Sequence, residues 1–267
     1  MELGIGIFGG TNIKDQVKYF KKFGILRTFI GSENADFEMA MQLFKENGII
    51  CEALHAPFDK INDMWNGDEV AARKMINRLK DSVDKCEKHC IPVSVVHLSS
   101  GRPMPEINER GVSRFEEVFD YAHKKGVILA LENQRYKENI VFFMKKYKTL
   151  GFCWDNGHEY GFSKGIRFME LFGDRLCALH IHDNRCGTDT DDHLLPFDGN
   201  IDFEEVAKAI AQSDYKGTVM LEVSRFASID GKKIYEDLND EDYVKRAVDS
   251  ARKLADMIEN YQKGTRW

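Results

Sequence analysis

Six short apolar runs in this chain end on residues that can bind a metal ion or move a proton. They are CEALHAP with His55, VSVVHLSS with His97, VILALENQ with Glu132, GFCWDNGH with Asp155, CALHIHDN with His180, and TVMLEVS with Glu222. Glu132, Asp155, His180 and Glu222 together are three hard carboxylates and one borderline imidazole. Such a set suits Mn²⁺, Mg²⁺ or Co²⁺ and also accepts Zn²⁺. It is unlike a structural zinc site, which usually draws on thiolates. The four lie too far apart in sequence for a local motif, so only a fold that gathers the ends of separate strands can unite them. Each has an ordinary alternative. Glu132 could be an exposed strand end, Asp155 a helix cap, His180 a satisfied core histidine and Glu222 the partner of an arginine. Four equivalent placements in consecutive units favour one shared site.

A second set of polar residues surrounds these. His55 and His97 end earlier strands, and His158 sits three residues after Asp155. His182 and Asp183 follow His180, Arg185 opens a long loop, and Asp191 and His193 lie within that loop. These side chains suit substrate hydroxyls, an additional metal ion, or the orientation of the four metal-binding groups. His182 should share the side of His180, two residues away, yet a rim position would turn it to solvent.

The elements that must position these groups can be read from periodicity. Strand-like runs fall at 4–8, 26–30, 49–55, 92–97, 127–132, 151–155, 176–182 and 218–223. Helical spacing falls at 13–23, 37–47, 68–89, 112–125, 139–149, 166–172, 203–212 and 243–262, with Gly48 as a C-cap. The strands are apolar on successive positions, as strands covered on both faces must be. This alternation predicts an α/β protein, a single-domain (β/α)8 TIM barrel over residues 1–267, for which about 250 residues is typical. A doubly wound open sheet is the structural alternative. In a barrel all strand C-termini open on one face, where the chemistry sits. Loops 57–67 and 183–200 exceed what connection requires and are expected as lids or substrate-binding segments. Trp65 in the first would either cover a ligand or pack on the rim.

Hydrophobic residues at 43% and charged residues at 31% are globular values. The net charge of −6 and the absence of a basic, aromatic-interleaved cluster argue against a nucleic-acid partner. Lys145–Lys148, KKYK, reads as an exposed helix face. Six cysteines without a C-x-x-C pair predict reduced thiols and a cytoplasmic setting. The first residues look like a strand and not a signal peptide, and no apolar run approaches the roughly 20 residues of a membrane span. GSEN at 31–34 and GFSKG at 161–165 are weak phosphate-site candidates.

The runs LHAPF, VVHLSSG, LALENQ, CWDNGH, ALHIHDN, DDHLLPFDGNIDF and MLEVS resemble, in order and spacing, the motifs of the xylose-isomerase-like barrel superfamily. The resemblance covers strand three to strand eight. It implies one divalent ion held by Glu132, Asp155, His180 and Glu222, with Mn²⁺ first and Zn²⁺, Co²⁺ or Mg²⁺ compatible. Likeness to the ketose epimerases implies that Glu132 and Glu222 exchange the substrate proton on opposite faces, with His158 and Arg185 on substrate oxygens. Histidines matching His55, His97 and His193 also occur in sugar-acting members and are expected around the substrate. The expectation is a metal-dependent sugar or sugar-phosphate isomerase or epimerase, abstracting a proton beside a metal-chelated carbonyl. Its partner would be a small sugar or polyol, and the resemblance also points to a homo-oligomer. Two other activities of the superfamily stay open, an inosose dehydratase-type lyase and an endonuclease IV-like abasic-site nuclease. For the nuclease, all nine positions of a trinuclear zinc site have counterparts: His55, His97, Glu132, Asp155, His158, His180, Asp191, His193 and Glu222. Against it stand Glu222-Val223-Ser224 in place of Glu-Thr-Pro, the HLLPFDG loop and the acidic total. A barrel that binds sugar without chemistry is a third class.

Overall fold

Strand β1 (Glu2–Ile5) pairs in parallel with both β2 (Arg27–Gly31) and β8 (Thr218–Leu221), so the beginning and end of the barrel meet. In this computed structural model, which describes residues 1–163 and 165–264, eight parallel strands run in the order β7-β6-β5-β4-β3-β2-β1-β8. The others are β3 (Ile50–His55), β4 (Val93–Val96), β5 (Ile128–Glu132), β6 (Gly151–Asp155) and β7 (Leu176–His180). Closure comes just past β7. Ile181 N donates to Met220 O at 2.9 Å, and Glu222 N donates to Ile181 O at 3.0 Å. The closed (β/α)8 barrel replaces the open-sheet alternative. Lys164, within the GFSKG segment, and residues 265–267 lie outside the described residues.

Helices pack around this cylinder. They are α1 (Ile13–Phe23), α2 (Phe37–Asn47), the short α3 (Asp63–Asn66), α4 (Glu69–His89), α5 (Glu109–Lys125), α6 (Lys137–Lys146), α7 (Asn156–Phe162), α8 (Phe168–Phe172), α9 (Phe203–Gln212) and α10 (Asp240–Gln262). Their starts follow from side-chain caps. Asn12, Asp68, Asn108, Asp202 and Asn239 each accept a hydrogen bond from a backbone N–H of the first turn. Gly48 ends α2 at φ +68°, a left-handed turn that an L side chain would strain. All residues of β4, β6 and β8 are buried, as strands need when helices cover one face and the barrel interior the other. After β8, β9 (Ser228–Ile229) and β10 (Lys232–Lys233) form a small hairpin.

Both long loops are tied down. Trp65 is fully buried; its indole N–H donates to Leu98 O at 2.6 Å and its ring centroid lies 5.2 Å from that of Phe115. Of the two sequence readings it takes packing, not ligand cover. In loop 183–200, the Asp183 carboxylate accepts from the backbone N–H groups of Asn184, Gly199 and Ile201 at 2.7, 2.8 and 3.0 Å. Leu194 and Leu195 of the same loop are buried. Among the described residues, no helix is long and apolar enough to cross a membrane. Among the described residues no disulfide joins the cysteines.

Candidate metal centre

One atom each from Glu132, Asp155, His180 and Glu222 lies within 4.8 Å of the others. These four come from β5, β6, β7 and the residue after β8, so barrel curvature alone unites them. Three of their buried atoms, Glu132 Oε1, Asp155 Oδ2 and His180 Nδ1, have no hydrogen-bond partner. A buried acceptor without a donor is costly, and three pointing into one space are a common destination for a cation. Glu132 Oε1 lies 3.4 Å from His180 Nδ1, which lies 3.4 Å from Glu222 Oε2. The donor set fits a divalent ion.

Histidines ring this space. Glu132 Oε2 lies 2.9 Å from His97 Nε2 and 3.3 Å from His55 Nε2. His158 Nδ1 lies 3.3 Å from Glu132 Oε1, and its Nε2 lies 3.4 Å from Asp191 Oδ2. Asp191 also reaches His193 Nε2 at 3.2 Å and His182 Nε2 at 3.7 Å. His182, Asp191 and His193 therefore form a second group that could hold a metal ion, and His55, His97 and Glu132 a third. Four of these rings are oriented the same way. Nδ1 of His55, His158, His182 and His193 each meets a backbone carbonyl, of Ala56, Asn133, Asp183 and Glu222, at 2.8 to 3.2 Å. A carbonyl only accepts, so it places the proton on Nδ1 and leaves Nε2 to face the site.

The electrostatics follow from this crowding. Burial by itself would raise the Glu132 carboxyl, but charge on His97 and His180, with the His158 and His180 imidazoles 3.3 and 3.4 Å from Oε1, holds it well below the usual range. Burial opposes charge on His180, yet Glu222 and Glu132 outweigh it and lift the imidazole to about 9. His193 rises to about 10 because Asp191 and Glu222 overcome its desolvation. His97 moves the other way, since burial dominates over Glu132. The neighbouring Cys153 thiol is held neutral by burial and by the charges of Glu132 and Asp155.

Two asparagines set the spacing. Asn133 follows Glu132; its amide donates to Asp155 O at 2.8 Å and accepts from Asp155 N at 2.9 Å. Asn156 follows Asp155 and does the same to His182, at 3.0 Å for both bonds. Each side chain copies a strand ladder where the backbone has left it. Gln134 Nε2 lies 3.1 Å from both His97 Nε2 and His158 Nδ1. Three aromatic rings stack on the histidines: Phe29 on His180, Phe58 on His97 and Phe162 on His158, with centroids 4.6, 4.5 and 4.8 Å apart. Sequence reasoning did not single out Asn133, Asn156, Gln134, Phe29, Phe58 or Phe162. The only signal was the acid–amide pairs Glu132-Asn133 and Asp155-Asn156.

Other expectations meet the geometry unevenly. Asp155 does cap a helix, accepting from His158 N through Oδ1 at 2.6 Å, and still offers Oδ2 to the centre. His182, for which the sequence leaves the side of His180 or solvent at the rim, is fully buried, 3.2 Å from Asp155 Oδ1 and stacked at 4.3 Å on His193. The chain turns inward at the Ile181 bridge and carries it under the loop. Arg185 directs its guanidinium to Asp230 at 2.8 Å and Asp192 at 3.3 Å.

The family model described as xylose isomerase-like TIM barrel matches residues 28–254. Protein y4fM of Sinorhizobium fredii, uncharacterized, is 32% identical over 54% of this chain. The match takes in 46% of that protein, so the chain spans about half the length of this curated relative. D-psicose 3-epimerase from Clostridium cellulolyticum H10, solved with D-tagatose, superposes with TM-score 0.73 at 18% identity, covering 97% of this chain and 99% of that one. The IolI protein, solved with a zinc atom, gives 0.74 at 17% identity, covering 97% and 99%. At these identities the superpositions speak for the fold, while the family match extends across β2 to α10. The chain belongs to the xylose isomerase-like TIM-barrel family.

Proposed function

We propose that this protein is a divalent-metal-dependent sugar isomerase or epimerase. The observation that carries the reading is the convergence of Glu132 Oε1, Asp155 Oδ2 and His180 Nδ1, buried and unpartnered, beside Glu222. The resemblance of the structure to a sugar 3-epimerase supports the same class. Glu132, Asp155, His180 and Glu222 would hold the ion, with Mn²⁺ the first choice, and when bound it would supply Lewis-acid polarisation of a substrate carbonyl. Glu132 stays ionised and takes up the proton adjacent to that carbonyl. Glu222 is one-fifth exposed and stands across His180 from Glu132, placed to return a proton on the opposite face. His158 and His193, with Nε2 presented inward, hold substrate hydroxyls. Burial of Glu132, Asp155 and His180 excludes bulk water from the proton's path.

The test is to incubate Mn²⁺-loaded protein with a panel of ketoses and inososes in heavy water and follow C–H exchange by proton NMR. Stereospecific exchange on at least one is expected; no exchange on any would sink the assignment. A second reading rests on the two further groups, His182-Asp191-His193 and His55-His97-Glu132. Three filled groups would suit phosphodiester hydrolysis, as in the nuclease branch of the family. Elemental analysis decides: about one ion per chain fits the sugar enzyme, and about three with incision at abasic sites fits the nuclease.

A further inference from the structure

Outside the metal centre, two arginines from different loops meet one carboxylate on the same face of the barrel. Arg135, three residues past the end of β5, places Nε 2.7 Å from Asp189 Oδ1. Arg102, from the loop after β4, places Nε 3.2 Å from Asp189 Oδ2. Asp189 lies in loop 183–200 with φ +63°, and its N–H donates to Gly161 O at 3.1 Å. Four segments thus converge: the loops after β4, β5 and β7, and the end of α7. The two guanidiniums leave one positive charge uncompensated by Asp189.

A layered stack connects this cluster with the metal centre. The Arg135 guanidinium lies 3.5 Å from the centroid of the Phe162 ring, and that ring stacks on His158 with centroids 4.8 Å apart. His158 in turn touches Glu132 and Asp191. Arg135 therefore stands two stacked rings, Phe162 and His158, beyond Glu132, and Arg102 joins it through Asp189. Stacking also fixes the guanidinium plane, which a planar, bidentate donor needs for recognising an oxyanion.

Resting on the sugar-isomerase reading of the centre, we propose that Arg102 and Arg135 form an anion subsite of the active site and that the substrate is a sugar phosphate. Asp189 is the internal anion that fills this subsite and is displaced on binding. The charge balance selects phosphate over carboxylate. A carboxylate would replace Asp189 by its equal, whereas a phosphomonoester dianion matches both arginines.

The experiment titrates inorganic phosphate, and acetate in parallel, into the Mn²⁺-loaded full chain by calorimetry. It compares the unaltered protein with Arg102→Gln, Arg135→Gln and Asp189→Asn. Phosphate affinity is expected to fall about tenfold in each arginine variant. It is expected to rise about threefold in Asp189→Asn, which loses the competing anion at a partly exposed pair. Phosphate bound on the metal would ignore the arginine substitutions, and unchanged affinity in both would overturn the proposal. So would acetate binding as tightly as phosphate, or weaker phosphate binding in Asp189→Asn. Because Arg102 is largely exposed, its variant is informative even if Arg135→Gln folds poorly. Hydrogen exchange on unphosphorylated ketoses but on none of their phosphates would overturn this proposal and leave the isomerase intact. The expected phosphate binding, without exchange on any sugar, would overturn the isomerase and leave the subsite.

Discussion

The two halves of the barrel mouth are built differently. From β5 round to β8, each strand ends on a group able to bind a cation: Glu132, Asp155, His180 and Glu222. From β1 to β4 the mouth carries no such carboxylate but Gly6, the aromatic ring of Phe29, and the imidazoles of His55 and His97. One half holds the carboxylates, and the other supplies aromatic and imidazole rings for the first to lean on. Phe29 reaches across to stack on His180, and Gly6 leaves the room for it: a Cβ there would lie 2.3 Å from the Phe29 ring. The difference teaches that half the strands supply the carboxylates on this face, while the rest supply the rings that lean on them.

The contrast can be broken most severely from the charged half. Glu132→Gln should lower turnover about 10³-fold while leaving the fold intact, because it removes the proton acceptor and a charged metal donor but keeps the side chain's size. Retained turnover on an identified substrate would remove Glu132 from the chemistry. Asn133→Ala should weaken divalent-ion affinity about tenfold or more, since it frees the Asp155 backbone; calorimetric titration with Mn²⁺ reads this directly. On the other half, Gly6→Ala should cost about 1–3 kcal/mol in denaturant unfolding by driving Phe29 off its place. If Phe29 positions His180, ion affinity falls with it; stability loss without affinity loss would restrict Phe29 to packing.

The smallest effect concerns pH. His180 and His193 have imidazoles raised to about 9 and about 10 from an ordinary 6.5. Groups raised on folding stabilise most when protonated in both states. Their contribution is complete below about 6.5 and is lost as pH rises through about 9 and 10. The melting temperature of metal-free protein should fall across that window. Protein loaded with Mn²⁺, in which a coordinating His180 would already be neutral, should show a flatter profile. Identical profiles would mean that the ion does not bind through His180.

Much of this was legible because the fold writes its punctuation locally. Helices α1, α2 and α9 match their predicted limits, and β6 matches residue for residue, because caps and apolar runs are sharp there. The four candidate ligands come together as the strand ends implied. The misses are where local pattern gives way to tertiary packing. β1 is Glu2–Ile5 and not 4–8, because pairing with β8 stops at Ile5. Trp65 sits in a polar stretch that hides its burial beneath α5, and His182 turns inward only because Ile181 bridges to β8. The Arg102–Asp189–Arg135 cluster joins residues more than fifty positions apart, and no periodicity announces such an encounter.

The asparagine clamps have a consequence for the economy of catalysis. Glu132, Asp155 and His182 are linked in series, since each asparagine follows one site residue and grips the backbone of the next. An arc fastened this way has little freedom left to lose when a substrate arrives. Its ordering entropy is spent during folding, once, instead of at every turnover. The same serial linkage makes the arc brittle, because a slack link at Asn133 would loosen every group downstream of it.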